Sequence, residues 1–102
     1  MGVHERFSAA GGRRGHWHLA ARREAEGLGI EVEVEVTNLD ELAEALRSRP
    51  DRIMLDNMDP QALSASVALV QATPGPKPLI EASGGVTLAN VREIARTGVD
   101  YI

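Results

Sequence analysis

The chain contains no cysteine, which excludes a disulfide framework and any chemistry that needs a thiolate nucleophile. Only three of its 102 residues are aromatic, so a hydrophobic core must be built from Ala, Val, Leu and Ile. No apolar run approaches the ~18 residues of a membrane-spanning helix, and the amino terminus lacks the apolar segment of a signal peptide. We therefore expect a cytoplasmic protein.

An excess of positive charge is also missing, because the formal net charge is −4 at pH 7. This balance predicts neither nucleic acid nor an anionic membrane as a partner. It also requires that any phosphate ligand be held by backbone N–H groups or by local positive charge. The remaining composition, 43% hydrophobic and 25% charged, is that of an ordinary globular domain or of a piece of a larger one.

Residues 30–36 read IEVEVEV, in which branched aliphatic residues alternate with glutamates. A period of two indicates a β-strand with two chemically different faces. One interpretation is a strand whose glutamate face is solvated. The other is a strand whose aliphatic face meets helices while its glutamates look into a barrel interior or a cleft.

A unit of strand, turn and helix then repeats three times. Capping residues predict where the helices begin: Asn38 with Glu41 three residues later, Asp59 followed by Pro60, and Thr87. The later strands are predicted over 52–55 and 78–82, and a further strand begins at 99–102, after a helix stop at Gly98. The predicted apolar faces of the three helices are Leu39, Leu42, Ala43 and Leu46; Leu63, Val67 and Val70; and Leu88, Val91, Ile94 and Ala95.

This order predicts an α/β fold with a parallel sheet, that is, a partial (β/α) barrel of about three consecutive βα units. Parallel strands are covered on both faces, which favours the barrel interior for the glutamate face of residues 30–36. Residues 1–29 are predicted to be an irregular amino-terminal segment, and residues 30–102 the barrel domain. His16 and His18 have no further ligand at metal-site spacing, so no metal role is expected for them.

Ligands of β/α folds bind at the carboxyl ends of the strands, and three predicted strand ends carry polar or glycine residues. They are Glu35, Asp56 with Asn57, and the turn Ser83-Gly84-Gly85. Carboxylates suit sugar hydroxyls or a Mg²⁺ ion carried by a diphosphate. A glycine turn that runs into a helix N-terminus suits a phosphate. The plainer alternatives are a helix cap or a surface charge for each acid, and a simple strand-to-helix turn for the glycines.

The segments IEVEVEVTNLDEL, IMLDNM and IEASGGVTLANVREIARTGVDYI resemble, in order and spacing, the quinolinate phosphoribosyltransferase family across residues 30–102. The resemblance implies a two-domain enzyme with an open β/α barrel, usually a homodimer. Such an enzyme converts quinolinate and phosphoribosyl pyrophosphate to nicotinate mononucleotide, diphosphate and CO₂ with Mg²⁺, in NAD biosynthesis.

Carried over to this sequence, the resemblance implies that Glu35 and Asp56 bind the ribose hydroxyls and the metal–diphosphate. It implies that the turn of residues 83–85 holds the 5′-phosphate. Glu33 is expected to be a buried partner on the same face as Glu35, and Asn57 to support the site.

The sequence also departs from the family pattern. Lys77, its single lysine, lies in a proline-rich loop, so the family's Lys-Asp-Asn-His stretch has no counterpart. A complete barrel takes ~250 residues. We therefore expect a piece of such an enzyme that does not catalyse alone. Two alternatives remain: a related barrel protein such as the molybdenum-transport-associated relative, and a non-catalytic barrel remnant that pairs with another chain.

Overall fold

The structure, a computed structural model, describes residues 3–8 and 30–102 and confirms an α/β fold built on a parallel sheet. Four strands lie side by side in chain order: β1 Val3–Ser8, β2 Ile30–Val36, β3 Arg52–Asp56 and β4 Leu79–Ser83. Three helices follow the last three strands: α1 Leu39–Leu46, α2 Pro60–Ala72 and α3 Val91–Ala95. Neighbouring parallel strands joined in sequence through helices are the arrangement of a β/α barrel.

Strand β1 corrects the prediction of an irregular amino-terminal segment, which is wrong for Val3–Ser8. This strand pairs in parallel with β2, with Val3 opposite Ile30 and Ser8 opposite Glu35. Backbone hydrogen bonds to the edge of β2 need no particular side-chain pattern, which explains why VHERFS gives no clear local signal. The proposed division at residue 30 and the two histidines at 16 and 18 concern residues outside the described ranges, and they stay predictions.

The two faces of the sheet are as different as the alternation in β2 predicts. The aliphatic face packs against the helices, and the core consists of Val32, Val34, Val36, Leu42, Ala45, Ile53, Leu55, Leu63, Val67, Val70, Ile80, Ala82 and Ile94. Each large aliphatic side chain buried there contributes about 1.5–3 kcal/mol, which fixes which way the strand faces. On the other face, Glu33 is only 1% exposed. The interior interpretation therefore holds for Glu33, whereas Glu31 at the start of the strand is exposed and Glu35 is partly exposed.

The first two helices begin where their capping residues predict. The Asn38 Oδ1 atom accepts a hydrogen bond from the Glu41 N–H at 2.8 Å, and the Glu41 carboxylate accepts one from the Thr37 N–H at 2.7 Å. The Asp59 Oδ1 atom accepts from the Ala62 N–H at 2.8 Å, with Pro60 at the first helical position.

The predicted apolar face of α1 is wrong in part, because Ala45 is buried while Ala43 is exposed. Leu39, at the start of the same helix, is 42% exposed. For α2 the prediction is confirmed, since Leu63, Val67 and Val70 are all buried.

The third helix begins later than predicted. Helix α3 starts at Val91, and Leu88, which was expected on its buried face, is 97% exposed. Ile94 is buried as expected, but Ala95 is exposed. After the helix, the strand predicted over 99–102 is present only as an isolated parallel bridge between Tyr101 and Glu81. No helix in the described part of the chain is long and apolar enough to cross a membrane.

Candidate functional site

The amino-terminal half of the glutamate-bearing face is occupied by an ionic cluster around Arg52. Its guanidinium lies 3.4 Å from the Glu81 carboxylate and 3.9 Å from the Glu31 carboxylate. It also lies 4.8 Å from the centre of the Tyr101 ring. These contacts offset the charge of a partly buried cation, although the Arg52 Nε atom itself donates no hydrogen bond within the described ranges, and they join β2, β3 and β4.

The carboxyl-terminal half of the same face carries the predicted acids. Asp56, the last residue of β3, lies opposite Ser83, the last residue of β4. Glu35 lies opposite Met54, two positions before Asp56. With the usual strand spacing and rise, the Cα atoms of Glu35 and Asp56 are about 8 Å apart. The structure therefore brings the three strand ends to one rim, where both acids are partly exposed.

The turns that follow β3 and β4 are joined to each other. The Asn57 N–H donates to the Ser83 carbonyl at 2.7 Å. Asn57 has a φ of 55°, and Gly84 and Gly85 have φ of 82° and 67°. A Cβ atom on Gly84 would lie 3.3 Å from the Asn57 nitrogen and 3.3 Å from the Asp56 Oδ1 atom. Gly84 is thus needed both for its left-handed backbone and for the close approach of the Asp56 carboxylate.

The glycine turn presents unused backbone donors. Within residues 30–102, the N–H groups of Gly84, Gly85 and Val86 donate no hydrogen bond to the protein, and all three residues are exposed. Successive N–H groups of a turn that contains left-handed residues form a concave site for an anion.

The expected contribution of a helix N-terminus is wrong, because α3 begins only at Val91 and has five residues. The backbone of the turn itself must therefore supply the donors.

Asn90 is a residue that the sequence reasoning missed. Its Nδ2 atom donates to the Gly85 carbonyl at 2.8 Å, and its Oδ1 atom accepts from the Thr87 N–H at 2.7 Å. The Asn90 N–H in turn donates to the Thr87 Oγ1 atom at 3.2 Å. The available signal was a Thr and an Asn three residues apart directly after a glycine turn, a spacing that suits reciprocal side chain–backbone bonds.

The described residues contain no group of three or more His, Asp or Glu side chains that could hold a metal ion. A cation bound entirely by protein side chains has no candidate site in these ranges. Glu35 and Asp56 nevertheless offer hard oxygen ligands on one rim, which is the donor type that Mg²⁺ prefers when phosphates complete its coordination.

A parallel sheet with sequential βα units and with acids and a glycine turn on its carboxyl rim defines a protein of the β/α-barrel class. The model of the family "Quinolinate phosphoribosyl transferase, C-terminal domain" matches residues 4–102. The chain belongs to the quinolinate phosphoribosyltransferase family.

Individual relatives agree with this assignment. The chain is 47% identical over 73 residues to a probable carboxylating nicotinate-nucleotide pyrophosphorylase of Synechocystis sp., covering 72% of this chain and 24% of that protein. It is 40% identical over 80 residues to the carboxylating nicotinate-nucleotide pyrophosphorylase of Rattus norvegicus, covering 78% of this chain and 26% of the rat protein.

A solved structure shows the same fold. The structure of the nicotinate-nucleotide pyrophosphorylase from Francisella tularensis matches 95% of this chain and 34% of its own, with a TM-score of 0.77 and 31% identity. The chain thus spans about a quarter to a third of the length of these relatives.

Proposed function

We propose that this chain supplies the phosphoribosyl-binding part of a carboxylating nicotinate-nucleotide pyrophosphorylase. This enzyme forms nicotinate mononucleotide, diphosphate and CO₂ from quinolinate and phosphoribosyl pyrophosphate. The observation that carries the proposal is the convergence of two carboxylates and three unused backbone N–H groups on one rim. The relatives compared above bear this enzyme's name, which favours this activity over that of the molybdenum-transport-associated relatives.

Glu35 and Asp56 act on the sugar and diphosphate side of the donor. Their carboxylates accept hydrogen bonds from the ribose hydroxyls, or bind the Mg²⁺ that the diphosphate brings with it. When the bond to diphosphate breaks, positive charge develops on the ribose. A fixed carboxylate nearby stabilises that charge more in the transition state than in the ground state.

The turn of residues 83–85 and the adjoining Val86 bind the 5′-phosphate. Backbone donors suit this role in a chain whose net charge is −4, since they need no basic side chain. Two further residues support the site. Glu33 lies buried on the same face as Glu35, and Asn57 ties the acid-bearing strand end to the phosphate turn.

Quinolinate is a dicarboxylate, and its binding requires cations that residues 30–102 do not offer at this rim. Arg52, the cation on the same face, is engaged by carboxylates nearer the amino ends of the strands. We therefore propose that basic residues outside 30–102 bind quinolinate, and that the active assembly is a homodimer. If the 102-residue chain alone forms nicotinate mononucleotide, the proposal that outside basic residues bind quinolinate is wrong. If light scattering finds a monomer in an active preparation, the proposal of a homodimer is wrong.

The test is a calorimetric titration of the folded chain with Mg²⁺–phosphoribosyl pyrophosphate, comparing wild type with Asp56→Asn. A hydrogen bond to a charged group contributes about 1.5–3 kcal/mol, so we expect the substitution to weaken binding about 10- to 150-fold. Asp40→Asn is the matched control, since it removes the same charge from an exposed position in the first turn of α1. Absence of binding by folded wild-type chain, or equal affinities for all three proteins, contradicts the proposal.

A further inference from the structure

The side-chain amide of Asn90 is bonded to the glycine turn through Nδ2 and to the Thr87 N–H through Oδ1. We propose that Asn90 is a positioning residue, which holds the peptide between Gly85 and Val86 so that the Val86 N–H faces a bound phosphate. This inference rests on the phosphate role proposed above for the turn.

The side chain of Asn90 meets one acceptor and one donor. Nδ2 donates to the Gly85 carbonyl at 2.8 Å, and Oδ1 accepts from the Thr87 N–H at 2.7 Å. Because a carbonyl only accepts and a backbone N–H only donates, the orientation of the amide is determined by its partners. A carboxylate or an alanine at position 90 cannot make both bonds, so the geometry requires an amide.

The bond to Gly85 controls a backbone donor that Asn90 does not itself touch. A trans peptide is planar, and its C=O and N–H groups point in opposite directions. Holding the Gly85 carbonyl towards Asn90 therefore turns the Val86 N–H away from Asn90, to the side where no residue of the described ranges accepts from it. A flip of this peptide would present a carbonyl oxygen to the phosphate instead, which would repel it.

The glycine side of this peptide does not restrain it. Gly84 and Gly85 lack Cβ atoms and have φ of 82° and 67°, so rotation of the peptides on either side of Gly85 meets little steric resistance. A capping-box pattern accounts for one of the two contacts of Asn90, because Asn90 Oδ1 accepts from the Thr87 N–H while Thr87 Oγ1 accepts from the Asn90 N–H. The bond from Nδ2 to the Gly85 carbonyl is not part of that pattern. Although Asn90 precedes α3, its side chain makes no capping hydrogen bond to that helix.

The experiment compares Asn90→Asp with Asn90→Ala, using ribose 5-phosphate as the probe in a titration of the full chain. The aspartate keeps the acceptor for the Thr87 N–H and loses the donor to Gly85, whereas the alanine loses both. Asn38→Asp and Asn38→Ala are the matched controls, because Asn38 uses only its Oδ1 atom, as acceptor for the Glu41 N–H. Thermal unfolding and the amide shift of Val86 are recorded for every variant.

We expect both Asn90 variants to bind ribose 5-phosphate about tenfold more weakly or worse, because each loses an oriented donor to a charged group. Asn90→Ala isolates this loss, because Asn90→Asp also brings a negative charge close to the phosphate. Asn90→Ala should also unfold at a lower temperature than Asn90→Asp, because it loses both bonds. The response of the Val86 amide proton to ribose 5-phosphate should disappear in both. The Asn38 variants should bind as wild type does, even where Asn38→Ala is less stable.

Two outcomes overturn the inference alone: wild-type affinity in both Asn90 variants, or an affinity loss that follows stability and spares Asn90→Asp. The second would show that Asn90 is only a structural cap. If the folded wild-type chain binds no ribose 5-phosphate, the phosphate role of the turn fails, and the inference fails with it.

Discussion

The connections that follow β3 and β4 reach the same rim but use their backbone donors differently. The first has three residues, 57–59, before α2 begins, and the second has seven, 84–90, before α3 begins. In the first, the Asn57 N–H is bonded to the Ser83 carbonyl, and the Asp59 side chain caps the helix at once. In the second, three consecutive N–H groups have no acceptor within the described part of the chain.

The difference suits the two connections to different roles, the first to stabilising the fold and the second to binding an anion. In a short connection the helix begins almost at once, so the polar groups of the connection form hydrogen bonds within the protein. A longer connection with two left-handed glycines delays the helix and leaves N–H groups facing outward, where an anion satisfies them. The short connection also supports the long one, because Asn57 is bonded to the carbonyl of the residue that precedes the glycines.

The largest effect is expected from Gly84→Ala, which breaks the contact between the two connections. Its Cβ would lie 3.3 Å from the Asn57 nitrogen and from the Asp56 Oδ1 atom, at a φ of 82°. We expect a loss of about 1–3 kcal/mol in the free energy of unfolding and ribose 5-phosphate binding reduced about a hundredfold or more.

Gly75→Ala is the control for Gly84→Ala, because Gly75 has a φ of 100° and nothing within 4 Å of its added Cβ. Gly75→Ala should lower the free energy of unfolding, because alanine disfavours a positive φ, but it should not weaken ribose 5-phosphate binding. Equal binding by the two variants, measured by calorimetry beside urea unfolding, would show that the contact does not matter.

A smaller effect is expected at Asn57, whose φ of 55° is left-handed. Asn57→Gly keeps that backbone conformation at no steric cost, whereas Asn57→Ala should lower the free energy of unfolding by about 1–2 kcal/mol. The pair separates the backbone conformation from the side chain. If glycine weakens ribose 5-phosphate binding as much as alanine does, the side-chain amide contributes directly to the site.

The smallest effect is expected from Asp59→Ala in the short connection. Loss of the cap on the Ala62 N–H should cost about 1 kcal/mol of unfolding free energy. Ribose 5-phosphate affinity should not change, since this cap serves only α2. A clear loss of affinity in this variant, at a temperature where it is fully folded, would show that the two connections do not divide their roles as described.

Much of the fold was predictable because its signals are local. The alternation in β2 identifies the strand and its two faces, and the caps at Asn38 and Asp59 identify the starts of α1 and α2. The rim positions of Glu35 and Asp56 followed from the rule that carboxyl ends of parallel strands share an edge. Their roles towards substrate stay predictions.

The errors occur where local signals compete with contacts made elsewhere. Strand β1 forms by pairing with the edge of β2, and no local pattern in the segment VHERFS predicts that pairing. Thr87 makes the predicted capping bond, because its Oγ1 accepts from the Asn90 N–H, but the regular helix begins only at Val91. The apolar periodicity that places Leu88 on α3 therefore continues into residues that are not helical.

The sequence by itself determined the order of strands and helices, the aliphatic face of β2 and the residue types at each strand end. Periodicity and capping act over a few residues, so they can be read directly along the chain. Only the tertiary structure decided that Glu33 is buried, that Gly84 lies against Asp56, and that Asn90 holds the Gly85 carbonyl. The reason is that burial and the approach of two turns depend on segments far apart in the sequence, and the direction of a peptide depends on the partners that the fold brings to it.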